Sequence, residues 1–157
     1  TYTPVGVIHS PVTSPENAPI QSVSAQGVSA DLEVSEEFAA GLQDIEGFSH
    51  LILVYVFHRS KGWSLTQVPF LDVCSHGVFA TRVPRRPNAI GFSVVRLLSR
   101  DERVLHLMDV DVIDGTPILD IKPYVPRFDA FPDAKSGWFS GKLGDVQSAR
   151  SDGRFLE

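Results

Sequence analysis

The stretch richest in chemistry is Ala80-Thr81-Arg82-Val83-Pro84-Arg85-Arg86-Pro87-Asn88-Ala89-Ile90-Gly91. Pro84 and Pro87 fix their own backbone and disfavour helix in the residues before them. Arg82, Arg85 and Arg86 are therefore expected to project from a stiff, extended track. With Arg96, Arg100 and Arg103 added, six of the chain's ten arginines fall within 22 residues. Guanidinium forks match carboxylate and phosphate geometry, so the run reads either as a solvated polar rim or, given its stiffness, as an anion site.

A second group is Asp109-Val110-Asp111-Val112-Ile113-Asp114-Gly115-Thr116-Pro117. Asp114-Gly115 after a strand predicts a tight hairpin turn with glycine at positive φ. Asp109 and Asp111 would share one strand face, with Asp114 at its end. Such a cluster either repels itself or faces a cation, whether a metal, an arginine or a cationic ligand. No histidine or further oxygen ligand sits close enough in sequence to complete a metal site, so none is expected. His58 follows an apolar run and precedes Arg59 and a long loop, and reads either as a binding residue, since such residues collect there, or as an ordinary half-exposed histidine. His9, His50 and His106 fall inside strand patterns and read as packing. Cys74 and His76 are too near in an extended chain to act as nucleophile and base. The chain has no G-x-G-x-x-G, and GWFSGKLG at 137–144 places Leu143 where a phosphate loop needs Ser or Thr.

Strands must position these groups. Phe48–Phe57 is almost wholly apolar and predicts a strand buried on both faces. Ile90–Ser99 and Val104–Ile113 are two more strands, joined by a hairpin at Arg100-Asp101-Glu102-Arg103. Shorter candidates are Gly6–His9, Val28–Val34, Gly77–Thr81 and Pro117–Ile121. Only Glu36–Leu42 looks helical, with Ser35 as its N-cap. Many short strands predict a mainly β fold, a barrel or a sandwich. Two long loops, Ser10–Gln26 and Ser60–Gly77, would close over a ligand or meet a partner. Residues 1–142 are expected to form one domain and 143–157 a loosely ordered tail.

Composition bounds the rest. The 157 residues carry a net charge of −5, which argues against a generic nucleic-acid coat. One cysteine permits neither an internal disulfide nor a four-thiolate metal site. No apolar run reaches the roughly 18 residues of a membrane helix, and no signal peptide is visible. A cytoplasmic protein is expected.

Five blocks carry a family likeness: Gly6-Val7-Ile8-His9-Ser10-Pro11, Phe48-Ser49-His50-Leu51, Gly77-Val78-Phe79-Ala80-Thr81-Arg82, Arg86-Pro87-Asn88-Ala89-Ile90-Gly91 and Asp114-Gly115-Thr116-Pro117-Ile118-Leu119-Asp120-Ile121-Lys122-Pro123-Tyr124. Together they resemble the TsaA-like family, whose characterised members are TrmO-type tRNA methyltransferases. The resemblance implies a β-barrel and a homodimer binding S-adenosylmethionine near its interface. It also implies methylation of N6 of threonylcarbamoyl-adenosine, 3′ of the tRNA anticodon. By motif position, the cofactor contacts fall on Pro19, Ile20, Gln21, His58, Arg59, Arg82 and Phe92, and on Asp111, Ile113, Asp114, Gly115 and Thr116. Arg85, Arg86 and Asn88 would meet tRNA. Ile20 and Ala89 stand where the family commonly has arginine and proline, and larger bacterial members continue into a further domain. The sulfonium would favour the Asp111/Asp114 end, the cofactor carboxylate Arg82 and the adenine Phe92. For the proton lost from N6, His58 and the substrate's own carboxylate are both candidates. A small-molecule methyltransferase and a non-catalytic cofactor- or RNA-binding module are the alternatives.

Overall fold

A computed structural model describes residues 1–14 and 25–142. Among the described residues, eight strands occur in chain order: β1 (Gly6–His9), β2 (Ser29–Val34), β3 (His50–Val56), β4 (Thr66–Gln67), β5 (His76–Gly77), β6 (Ile90–Asp101), β7 (Val104–Met108) and β8 (Pro117–Pro123). Six of them close an antiparallel barrel in the order β1-β2-β7-β6-β3-β8. Closure removes the sheet edges that an open β protein must protect.

The inward parity of each strand is read directly from its residues. Leu51, Leu53 and Tyr55 of β3, Leu105 and Leu107 of β7, Leu32 of β2, Val95 of β6 and Ile118 of β8 fill the interior. The outward members of β3 remain half-buried, so this strand alternates and is not buried on both faces as its composition suggests. A small barrel has only one fully enclosed face, and Ile52, Val54 and Val56 lie on the other. Leu53→Ala would cost about 2–5 kcal/mol through lost burial and the cavity left behind. Gly91 is required by packing: a Cβ there would lie 2.6 Å from ring atoms of both Tyr55 and Phe57.

Other expectations need correction. The helix expected at Glu36–Leu42 is 3-10, and Ser35 caps it without a side-chain hydrogen bond. Its task is local, since Leu42 is buried and Phe38 packs on the core to plug one barrel end. The strand expected at Gly77–Thr81 is a β5 pair followed by a 3-10 turn, Val78–Ala80. The strand expected to run from Val104 to Ile113 stops at Met108, because Asp109 takes φ 62°. The Arg100–Arg103 hairpin does form, with Glu102 at φ 52°. A four-residue helix, α1 (Pro126–Asp129), was not foreseen; Pro126 opens it and Asp129 Oδ2 accepts from Val125 N at 2.8 Å. The tail at 143–157 lies outside the described residues.

Candidate functional site

Strand register gathers the expected site residues at one rim of the barrel. Val56, ending β3, faces Ile90, opening β6, and Tyr55 faces Ile118 near the start of β8. Met108, ending β7, faces Ser29, and His9, ending β1, faces Asp31. His58 and Arg59, the Arg82–Phe92 run and the Asp109–Thr116 connection therefore emerge together. Residues after β1 join them: Ser10 N donates to Asp114 Oδ1 at 3.0 Å and Asp114 N to Val12 O at 2.7 Å. Pro19, Ile20 and Gln21 lie outside the described residues.

Thr81 and Val83 are buried, which turns Arg82 between them outward. Its guanidinium carbon sits 5.0 Å from the centroid of the Phe92 ring, a cation–π contact. Phe92 keeps 48% of its surface exposed, leaving an open aromatic face beside a cation. Arg86 does not project as expected. Its Nη1 donates to Thr81 O at 2.9 Å and Val83 O at 3.2 Å, clipping the proline-rich loop to itself. Arg85 is half-buried, and its carbonyl accepts from Gln67 Nε2. Among the described residues, the buried side-chain polar atoms without a hydrogen-bond partner are Ser60 Oγ, Gln67 Oε1 and Arg85 Nε. Such unsatisfied atoms are costly, and they concentrate on the two loops beside this rim. Asn88 is exposed and its carbonyl accepts from Ile90 N. Arg100, near the far end of β6, and Arg103, in the hairpin that follows, lie away from this rim, so the sequence cluster of arginines is two groups in space.

The aspartates do not form the shared negative face expected of them. Asp109 Oδ1 accepts from Gly27 N at 2.8 Å, and its other oxygen lies 4.0 Å from Arg96. Asp114 holds Ser10. Asp111 turns into the barrel mouth, where Ser93 Oγ donates to its Oδ1 at 2.5 Å and Tyr55 OH lies 2.9 Å from Ser93 Oγ. Burial pushes the Asp111 carboxyl up to about 6, against the lowering effect of Ser93. Burial, then the Asp111 charge, pushes the Tyr55 phenol up as well. Ser93 and Tyr55 were not foreseen; their signal was a polar atom at an inward strand position. Asp114-Gly115 does form a turn, with Gly115 at φ 79° and Thr116 N bonded to Ile113 O. It is no hairpin, because β7 and β8 are not neighbours in the barrel.

His58 is fixed through Thr116. Thr116 Oγ1 spends its one proton on Ile113 O at 2.6 Å, so its 3.2 Å contact with His58 Nδ1 requires Nδ1–H to be the donor. That tautomer leaves Nε2 as the nitrogen with a free lone pair. Partial burial first, then the Arg59 charge, lowers the His58 pKa, while Asp114 opposes them. The lowered pKa favours the neutral imidazole, whose Nε2 lone pair can take a proton.

Residues 7–130 match the sequence model of the tRNA-methyltransferase O N-terminal domain family. A Pyrococcus abyssi protein described as a probable S-adenosyl-L-methionine-binding protein is 51% identical, over 99% of this chain and 84% of its own length. The tRNA (adenine(37)-N6)-methyltransferase of Escherichia coli is 36% identical over 85% of this chain, which spans 61% of that enzyme. The crystal structure of TrmO from Pseudomonas aeruginosa superposes with a TM-score of 0.74 at 38% identity, covering 88% of this chain and 62% of that one. The chain belongs to the tRNA-methyltransferase O N-terminal domain family.

Proposed function

We propose that this chain transfers the methyl group of S-adenosylmethionine to N6 of threonylcarbamoyl-adenosine at position 37 of tRNA. The family match over residues 7–130 carries the reading. The rim chemistry supports it. A guanidinium beside an open aromatic face, Arg82 over Phe92, suits a ligand with both a carboxylate and a flat base. Bound there, the cofactor supplies an electrophilic methyl on a sulfonium.

The chain's own residues then have separable tasks. Arg82 pairs with the cofactor carboxylate and Phe92 packs on its adenine. Pro19, Ile20, Gln21, Arg59 and the Asp111–Thr116 connection complete the pocket, with Ile113 and Gly115 offering backbone. Thr116 orients His58, whose Nε2 would accept the N6 proton as the N6–methyl bond forms and the methyl–sulfur bond breaks, its electron pair staying on sulfur. Arg85 and Asn88 meet the tRNA backbone, while Arg86 shapes the loop that bears them. The protein works in the cytoplasm as a homodimer, so sedimentation should give twice the 17.2 kDa chain mass.

The net charge of −5 and the inward turn of Arg86 favour a second reading, a small-molecule acceptor. One experiment separates the two. The protein is incubated with methyl-labelled S-adenosylmethionine and bulk tRNA, and the digested nucleosides are identified. Label in N6-methylated threonylcarbamoyl-adenosine is expected; label absent from all tRNA nucleosides, with the cofactor bound, overturns the tRNA assignment.

A further inference from the structure

The family match ends at residue 130, yet the chain beyond it folds back against the rim. Trp138 Nε1 donates to Ala80 O at 2.7 Å. Its indole stacks on His76, with centroids 4.5 Å apart and planes at 15°, and on Phe139 at 3.9 Å and 24°. A charged clasp lies beside this stack. Asp72 Oδ2 is 2.7 Å from His76 Nε2, and Asp72 Oδ1 is 2.8 Å from Lys142 Nζ. The same Oδ1 accepts from Val73 N at 2.7 Å and Cys74 N at 3.3 Å. Lys142 first, then His76, holds the Asp72 carboxyl well below the usual carboxylate range, so Asp72 stays ionised.

The segment gripped in this way carries little regular secondary structure among the described residues. β4 and β5 pair through only two residues each, and such a ladder is marginal by itself. The backbone bond from Val78 N to Leu65 O at 2.8 Å, the side-chain bonds of Gln67 to Arg85 O and of Arg86 to Thr81 O, and the small cluster of Val78, Val83 and Phe70 add to its support. Ala80 ends the 3-10 turn. Thr81 then returns both N and Oγ1 to Val78 O, and the next residue is Arg82. A tether on the Ala80 carbonyl therefore acts two residues before the guanidinium that meets the cofactor.

We propose that Trp138 is a positioning residue: by holding Ala80 O and stacking on His76, it fixes the turn that presents Arg82 to the cofactor. The assignment of Arg82 rests on the functional reading above, whereas the tether itself does not. Freeing the turn lets Arg82 sample arrangements off Phe92, and affinity falls in proportion to the productive fraction. The loss is in binding, so KM for the cofactor rises while kcat holds.

The test compares the full chain as wild type, Trp138→Ala and Trp138→Phe by hydrogen exchange and by titration with S-adenosylmethionine. Phenylalanine keeps a ring on His76 and loses the N–H donor. In Trp138→Ala, the Val78 and Thr81 amides should exchange about tenfold faster and the cofactor bind about tenfold more weakly, the scale of one lost hydrogen bond plus a stack. Trp138→Phe should fall between the two, and the amides of Leu51, Leu53 and Val95 should not change in either variant. Unchanged exchange at Val78 and Thr81 overturns the tether. Faster exchange there with cofactor affinity unchanged overturns its role toward Arg82, as does deprotection spread equally through the barrel. A wild-type chain that binds no S-adenosylmethionine overturns the role toward Arg82 together with the functional reading, and the exchange comparison still decides the tether.

Discussion

The two ends of the barrel are built from similar residues and treat them differently. At the end formed by the β6–β7 hairpin, charges are paired in the open. Arg100 reaches Leu42 O at 3.0 Å, Glu46 Oε1 at 3.1 Å and Glu102 O at 2.6 Å. Arg103 reaches Val34 O at 3.0 Å and Glu33 Oε1 at 2.7 Å. His9, then Arg103, lowers the Glu33 carboxyl. At the opposite rim, Asp111 is raised, His58 is lowered, and buried polar atoms on the flanking loops lack partners. The hairpin end satisfies its polar groups, whereas the rim proposed to bind the cofactor holds some away from their ordinary state, as binding and catalytic sites often do. Residue type alone does not separate the ends; what each arginine is left to bind does.

The contrast breaks first at His58. His58→Ala should lower kcat by about 10²–10³, with the cofactor still bound and the melting temperature unchanged. Because its pKa lies below the ordinary histidine value, the acid limb of the rate profile should fall below about pH 6.5, as protonation removes the Nε2 lone pair. A variant retaining full kcat would pass the proton to the substrate carboxylate. Arg82→Ala comes next and should weaken S-adenosylmethionine by about 1.5–3 kcal/mol, read by calorimetry. Unchanged affinity would remove Arg82 from the pocket.

The sequence showed the barrel better than it showed the rim. β1 follows its predicted bounds, and β3 and β6 are recognisable, because period-2 burial is written locally in Leu51, Leu53 and Tyr55. The Asp109–Thr116 connection misled because strand propensity in Val110 and Val112 does not register the positive φ of Asp109. Those two valines are buried in the core, but from a connection outside any strand. Ser93 could have been noticed as a polar residue at inward parity. Nothing near Trp138 in the chain announces Ala80 as its partner, since that contact spans 58 residues.

Asp111 offers a test of what the proposed functional rim gives up in stability. A carboxyl raised to about 6 binds protons more readily in the folded chain than in the unfolded one, between roughly pH 4 and 6. Its contribution to stability therefore declines as pH rises through that window, by about 2–3 kcal/mol. Asp111→Asn keeps an oxygen to accept from Ser93 and removes the charge. Urea unfolding should show the variant more stable than wild type at pH 8, by about 2 kcal/mol, and little different at pH 4. Equal stability at both pH values would mean that the carboxyl is not desolvated in the folded protein.

The smallest expected effects decide whether the arginines belong to two groups. Arg103→Ala removes an exposed ion pair with Glu33 and should destabilise the fold by no more than about 1 kcal/mol. It should leave the salt dependence of tRNA binding as it was. Arg85→Ala should instead flatten the slope of log affinity against log salt by about one phosphate equivalent, with cofactor titration unaltered. Arg86→Ala should behave as neither. Loss of its bonds to Thr81 O and Val83 O frees the loop on both sides of Arg82, so cofactor and tRNA affinity should fall together. If Arg103→Ala flattens the slope as much as Arg85→Ala, the RNA path runs along the whole of β6 and the division between the barrel ends fails. If Arg86→Ala changes the slope while sparing the cofactor, its guanidinium leaves the loop to meet phosphate when tRNA binds.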